Sequence, residues 1–297
     1  MGFKAGTVVV VGKTNVGKSL FINAVIGQKV VIVSDKPQTT RNRIRCIYNT
    51  ENAQVVFVDT PGLHQPMNKL SSHLLRKAFR ALAGVDELVY MVEPKGKVDE
   101  YDETVLPRLQ SLPCPKVLLV NKIDLAKGNE LPETLLAYDR LGIFNDLVPI
   151  SAKTQTNLER ALQVILSHLP EGEPLFPRDL PFPTDRPLEF LVAELIREKI
   201  FHLTHQEIPY STAVVVEEIR EREEKPVLEV HASIYVAKDS QKGIVIGSGG
   251  QKLKEIGRLA RLELEAMWGK KVFLSLQVRV KQKWTESEAE IARLTGD

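Results

Sequence analysis

The sequence predicts an α/β chain in two parts: a doubly wound, mostly parallel sheet over residues 1–172, then a smaller α+β domain over 188–284. Three observations carry this. Short Val/Ile/Leu runs alternate with helix-period segments to about residue 170, six prolines crowd into Pro170–Pro187, and beyond them the pattern becomes α-β-β-α-α-β.

In the first part, Thr7–Val11, Val55–Val58, Leu88–Val92, Val117–Val120 and Leu147–Ile150 predict strands. Near-continuous apolar runs suit parallel strands buried on both faces, and alternation with helices implies βαβ crossovers. The proline cluster excludes a helix or an interior strand, so 173–187 is expected to be an extended linker. After it, Leu188–Leu203 predicts an amphipathic helix with Leu191, Leu195 and Ile196 on its apolar face. Ala213–Arg220 and Val227–Ala237 alternate as antiparallel strands around a charged turn. Gln241–Trp268 is helical but broken at Gly247-Ser248-Gly249-Gly250, Lys271–Lys283 is a last strand, and 285–297 is a helical tail.

Composition narrows the classes. The chain has 297 residues, 43% hydrophobic and 26% charged, as a chain with a packed core does. Forty Lys/Arg against 38 Asp/Glu predict no partner, so any basic surface must come from local segregation. Cys46 and Cys114 are far apart and lack metal-ligand spacing, so two reduced thiols are expected. The N-terminal apolar run Val8–Val11 is too short for a signal or membrane segment, and Gly6 defeats a myristoylation motif, so a cytoplasmic location is expected.

Gly12-Lys13-Thr14-Asn15-Val16-Gly17-Lys18-Ser19 fits G-x-x-x-x-G-K-[ST], with a buried strand before it and a helix opening at Leu20 after it. Its glycines aim successive N–H groups at phosphates, the helix N-terminus adds its dipole, Lys18 neutralises β- and γ-phosphates, and Ser19 ligates Mg²⁺. Asp59-Thr60-Pro61-Gly62 follows a strand: Asp59 suits a Mg²⁺-bridging carboxylate, and the Gly62 N–H can reach the γ-phosphate. Asn121-Lys122-Ile123-Asp124 also follows a strand. Asp124 can accept from the N1–H and 2-amine of guanine, and a buried carboxylate left unpaired by adenine rejects ATP. Ser151-Ala152-Lys153 would close over the base, with the Ala152 N–H facing guanine O6.

In this order the boxes resemble those of translational P-loop GTPases. The resemblance places a Mg²⁺-binding threonine within Ser34–Arg45; Thr40 is the match, with Thr39 the alternative. Arg41, Arg43 and Arg45 either contact nucleotide or RNA or form a solvated face. Lys18, Thr40 and Gly62 are the expected catalytic residues, and Leu63 to about Leu75 the second switch. Leu63 stands where many GTPases carry a water-orienting glutamine, and His64 is a weak substitute, so slow intrinsic hydrolysis is expected. Asn15 matches G-x-x-N-x-G-K-S loops that resemble those recruiting K⁺; the alternative is a loop-capping Asn15.

Val245-Ile246-Gly247-Ser248-Gly249-Gly250-Gln251-Lys252-Leu253-Lys254-Glu255-Ile256-Gly257 resembles the helix–GXXG–helix core of a type II KH domain, which clamps single-stranded RNA by close backbone approach. Lys238–Lys283 carries eleven Lys/Arg against four Asp/Glu, whereas Asp185–Ala237 carries six against eleven. That is an electrostatic footprint centred on the loop. Expected RNA contacts are Ile246, Gly247, Ser248, Gly249, Gly250, Lys252, Leu253 and Lys254, with Lys252 and Lys254 on phosphates; Tyr235 and Trp268 belong to the core.

Both parts together resemble the Era family of bacterial GTPases, over essentially all residues and most specifically at Gln38-Thr39-Thr40-Arg41, Asp59–His64 and Lys254–Gly257. Two positions depart: Thr14 replaces a usual proline, and Ser248-Gly249 bring no basic residue to the GXXG loop. The resemblance implies GTP and GDP as ligands with Mg²⁺, 16S ribosomal RNA near its 3′ end and the 30S subunit as partners, no DNA, and loose inner-membrane association. An RNA-binding assembly factor with a structural nucleotide site is the rival.

Overall fold

The computed structural model describes residues 2–34, 36, 39–62, 72, 74, 76, 78, 81–222 and 226–295. Described residues up to Val31, from Thr40 to Gly62 and from Leu74 to Asp185 form one compact unit. Those of Ile32–Thr39, and those from Arg186 onward, belong to a second.

The first unit is a six-stranded sheet in the order β2-β3-β1-β4-β5-β6. Its strands are β1 (Lys4–Gly12), β2 (Ile44–Asn49), β3 (Ala53–Asp59), β4 (Glu87–Val92), β5 (Lys116–Val120) and β6 (Asp146–Pro149). Helices α1 (Lys18–Ile26), α2 (Glu100–Gln110), α3 (Glu130–Asp139) and α4 (Leu158–His168) connect them. β3, β4 and β5 are buried at every residue, which is why they read as unbroken apolar runs. All neighbours are parallel except β2, which pairs antiparallel with β3 from Ile44↔Asp59 to Asn49↔Gln54. Sequence periodicity missed β2. Its Ile-Arg-Cys-Ile-Tyr-Asn mixes polar and apolar residues because it lies at the sheet's edge, half covered. Along that edge the Ile47 N–H donates to Pro183 O at 2.8 Å, and Cys46 bridges Thr184. Prolines lack a donor, and this stretch, which holds no helix, accepts from the edge strand.

One group in the sheet carries a cost. Glu87, at the start of β4, is fully buried, and neither carboxyl oxygen has a partner among the described residues. Burial, then the charge of Asp146, pushes its pKa up to about 9. The folded value lies above the unfolded one, so the folded chain holds this proton while the unfolded chain sheds it from about pH 4.5. Stability therefore falls as pH rises through the window from there to about 9. Glu87→Gln is expected to remove that slope and stabilise the first unit by roughly 2 kcal/mol at pH 8. Denaturant melts at pH 5 and pH 8 check it; an unchanged pH slope would contradict the assignment.

The second unit contains α5 (Leu188–Leu203), β7 (Thr212–Glu221), β8 (Val227–Val236), α6 (Asp239–Ile246), α7 (Gln251–Trp268), β9 (Lys271–Val280) and α8 (Glu288–Thr295). The sheet order is β7-β8-β9, with β7 antiparallel and β9 parallel to β8. Ile256, Ala260 and Leu264 of α7 fall at helical spacing and pack with Ile196, Ile200, Val230 and Ile234. Trp268 packs against this core and Tyr235 is half-buried. The tail is held in place: Ile291 and Leu294 are buried, and the fully buried Trp284 donates Nε1–H to Ser211 O at 3.0 Å.

Candidate functional site

The strand–loop–helix from β1 to α1 sits at the C-terminal ends of the parallel strands, where open α/β sheets present their ligand crevice. Two glycines are obligatory there. A Cβ on Gly12 (φ +148°) would come within 2.4 Å of Met91 O, and one on Gly17 (φ +105°) within 2.3 Å of Asn121 Nδ2. Asn15 is exposed in the loop with φ 63°. Lys18 is buried, and its Nζ donates to Gly12 O at 3.2 Å and Lys13 O at 2.8 Å, stretched back along the loop. Burial pushes its pKa down to about 8, against the opposing pull of Asp59. An ammonium so desolvated gains much from an arriving phosphate.

Three oxygen donors converge beside it. Ser19 Oγ donates to Asp59 Oδ2 at 2.7 Å, Thr40 Oγ1 donates to the same oxygen at 3.1 Å, and the two hydroxyls lie 3.1 Å apart. The choice between threonines is thereby a geometric one: Thr40 faces this cluster, while Thr39 Oγ1 donates to Lys36 O at 2.7 Å. Asp59 is fully buried, its pKa raised chiefly by that burial, and its Oδ1 has no partner among the described residues. A buried carboxylate oxygen left over beside two hydroxyls fits a Mg²⁺ that completes its shell with phosphate and water oxygens. Gly62 abuts the loop so closely that a Cβ there would meet Thr14 Cγ2 at 2.6 Å and Thr14 N at 2.9 Å. Thr60 is tied to β1 by Oγ1–H···O=C of Val10 at 2.8 Å, and Pro61 follows it.

The base-side motifs are also joined. Asn121 Nδ2 donates to Val16 O at 2.7 Å and Asn121 Oδ1 accepts the Ala152 N–H at 2.9 Å, so one amide ties the phosphate loop to the Ser151–Lys153 turn. Ser151 Oγ donates to Asp124 Oδ1 at 2.6 Å, which orients the carboxylate. Asp124 is exposed, contrary to the buried carboxylate expected from sequence. Two supporting acids were not legible in the motifs: Asp99 pairs with Lys13, and Glu93 with Lys122. Both stand beyond the end of β4, so only the sheet order brings them to the loop. Arg41 is buried rather than solvated, and Arg45 pairs with Asp185 at 2.9 Å. Leu63, His64 and the second-switch segment after them lie outside the described residues, apart from Ser72 and Leu74.

In the second unit, α6 ends at Ile246 and α7 begins at Gln251, with Gly247, Gly249 and Gly250 at φ 75°, 56° and 77°. A Cβ on Gly247 would meet Lys252 Cβ at 2.7 Å, whereas Gly249 and Gly250 face open space. The loop therefore offers bare backbone, flanked by half-buried Ile246 and Leu253 and by exposed Ser248. Glu255 engages Arg258 bidentately and Glu265 takes a single contact from Arg261, while Lys252 and Lys254 have no carboxylate partner among the described residues.

Comparison with known proteins agrees with both halves. Residues 7–122 match the model of the 50S ribosome-binding GTPase family, and residues 207–285 that of the KH domain. GTPase Era of Thermotoga maritima is 48% identical, covering 100% of this chain and 98% of that protein. GTPase Era of Geotalea daltonii is 46% identical over 96% and 95%. A crystal structure of an Aquifex aeolicus Era variant bound to GDP·AlF4⁻ is similar with a TM-score of 0.93 and 38% identity, over 99% of each chain. Era in complex with MgGDPNP and nucleotides 1506–1542 of 16S ribosomal RNA is similar with a TM-score of 0.92 over the same shares. With a phosphate loop, a guanine-type base turn and a C-terminal GXXG domain in one chain, and relatives this similar along its whole length, the protein belongs to the GTPase Era family.

Proposed function

We propose that the chain is a GTP-hydrolysing switch that binds the 3′ region of 16S ribosomal RNA through its GXXG domain and assists assembly of the 30S subunit. The observation that carries the reading is the convergence of Lys18, Ser19, Thr40 and Asp59 on one point, with Asp124, Ser151 and Ala152 joined to the same loop by Asn121. The main chain of Gly12–Gly17 cradles the phosphates with Lys13, Thr14, Asn15, Val16 and Leu20, and Thr60–Gly62 closes the γ-phosphate side. Lys18 places its charge on the β- and γ-phosphates, and the Gly62 N–H donates to the γ-phosphate. Ser19, Thr40 and Asp59 would hold Mg²⁺, which would supply positive charge against the charge that builds on the phosphate oxygens. Asn121, Lys122, Asp124 and Ser151–Lys153 hold the base.

Without a glutamine after Gly62, intrinsic turnover is slow and depends on an added cation or partner. Asn15, exposed on the phosphate loop, is the expected K⁺ ligand, and K⁺ would act on transition-state charge. GTPase rates in K⁺ should exceed those in matched Na⁺ buffer, and Asn15→Ala should abolish the difference; equal rates in the parent chain would remove K⁺ from the mechanism.

On the RNA side, Ile246–Gly250 with Lys252, Leu253 and Lys254 form the clamp, within a division into 1–172, a 173–187 linker, 188–284 and a 285–297 tail. A 3′ fragment of 16S RNA should bind more tightly with a GTP analogue than with GDP, and equal affinities would break the switch. Changing Lys252 and Lys254 together to Ala should flatten the salt dependence, lowering the slope of log K against log[salt] by about 1.4. The protein works in the cytoplasm with at most peripheral contact to the inner membrane; among the described residues no helix is long and apolar enough to cross one.

A further inference from the structure

We propose that Glu93 is a positioning residue for the base, holding the Lys122 ammonium so that the methylene stem of Lys122 stands fixed as one wall of the base slot. The inference rests on the guanine-site reading above and adds to it a residue that no nucleotide-binding motif contains. Every group it uses lies in the first unit.

The sheet register brings the two side chains together. β4 and β5 run parallel with Val92 opposite Val120, and the Asn121 N–H donates to Val92 O at 2.8 Å. Glu93 therefore leaves β4 level with the start of the Asn121–Asp124 turn. Lys122 opens the short 3₁₀ turn Ile123–Leu125 with left-handed backbone angles, φ 66° and ψ 36°. A residue other than glycine takes these angles at a cost and keeps them only where its surroundings insist. The Lys122 ammonium reaches back to the Glu93 carboxylate, its acid partner among the described residues.

That carboxylate stands on a braced loop. Between β4 and α2 the Gly96 N–H donates to Thr134 Oγ1 at 2.7 Å, and Thr134, fully buried, donates in turn to Glu130 O at 2.6 Å. At the far end Asp99 accepts the Tyr101 N–H at 2.9 Å, capping α2, and pairs with Lys13 of the phosphate loop. Lys95 lies between the two acids, 3.7 Å from Glu93 and 3.8 Å from Asp99. One loop thus holds a lysine of the base turn at one end and a lysine of the phosphate loop at the other.

Stability does not account for the Glu93 pair. The Lys122 and Glu93 side chains are 33% and 30% exposed, and ion pairs so open add little to folding. Charge does not account for it either, since a carboxylate beside a polyanion site repels the ligand. Pinning does. A free lysine carries large rotamer entropy, and a ligand that needs its stem in one place must order it on arrival. Held at its head by Glu93, Lys122 meets the base with that ordering done, and its methylenes offer apolar cover to a ring face.

The test compares Glu93→Ala with Glu93→Gln in the full chain, by calorimetric titration of GDP and of a non-hydrolysable GTP analogue. Both changes remove the same charge, and on charge alone both should tighten binding equally. Pinning predicts the opposite sign. Glu93→Ala should weaken GDP and the analogue alike, about fivefold. Glu93→Gln, whose amide oxygen can still accept from the ammonium, should lose less. Placed on Lys122→Met, Glu93→Ala should cost nothing further, because no ammonium is left to hold. The ratio of GDP to inosine diphosphate affinity should keep its parent value, since Asp124 would still read the 2-amine. The urea midpoint of the nucleotide-free chain should not move. Unchanged or tighter binding, a loss confined to one nucleotide, equal losses in the Ala and Gln variants, or a loss undiminished on Lys122→Met would overturn the proposal. A shifted selectivity ratio would move the effect to Asp124, and a fallen midpoint would make the pair structural; either counts against it. A parent chain with no preference for guanine over adenine nucleotides would instead sink the function reading on which this rests.

Discussion

Asp124→Asn is expected to lower GTP affinity about a thousandfold and to raise affinity for xanthosine triphosphate by a comparable factor, as the exchange of a matched hydrogen-bond pair for a mismatched one requires. On the proposed reading the aspartate would accept from both N1–H and the 2-amine of guanine. An asparagine amide can accept from N1–H but turns its NH₂ towards the 2-amine, where two donors meet. Xanthine replaces that amine with a carbonyl, restoring the match. The change should leave the site standing, because Ser151 Oγ, 2.6 Å from Asp124 Oδ1, can donate equally to an amide oxygen. Titration calorimetry with both nucleotides decides it. An unchanged preference would mean that the base is not read at this carboxylate, and the guanine assignment would fall.

Lys18→Met should weaken GTP binding about 100- to 1000-fold, the usual cost of removing one partner from a desolvated charge pair. It should also erase a pH dependence that the parent chain displays. Burial pushes the pKa of the Lys18 ammonium down to about 8 in the free protein, and a polyphosphate bound there would hold it protonated well above that. Below pH 8 the ammonium is already charged and affinity is flat. Above it each pH unit obliges binding to recruit a proton, so log affinity falls with a slope approaching one. Measuring GDP and GTP binding from pH 7 to pH 9 in parent and variant isolates this limb. If both chains show the same slope, Lys18 is not the titrating group.

How much of this was legible in the chain depends on whether the chemistry is local. A phosphate loop is one continuous stretch because backbone N–H groups must point the same way, so Gly12–Ser19 announces itself, as do Asp59–Gly62 and Asn121–Asp124. The GXXG break is equally local: Gly247, Gly249 and Gly250 adopt backbone angles that other residues rarely take. β2 was missed because an edge strand needs neither alternation nor an apolar run. Asp99 and Glu93 were missed because an acid pairing with a loop lysine has no sequence signature. The row Glu194, Arg197 and Glu198 on α5 was visible as charges at helical spacing, but a solvated face has the same spacing.

The sequence by itself determined the fold class of both parts, the phosphate and base motifs and the RNA-type loop, since each depends on backbone conformation or periodicity set by neighbouring residues. The tertiary structure decided which threonine faces Asp59, that Asp124 stands exposed, and that Arg197 grips the carbonyl at residue 39 from 158 positions away. Those facts depend on distances between segments remote along the chain, and only folding fixes such distances.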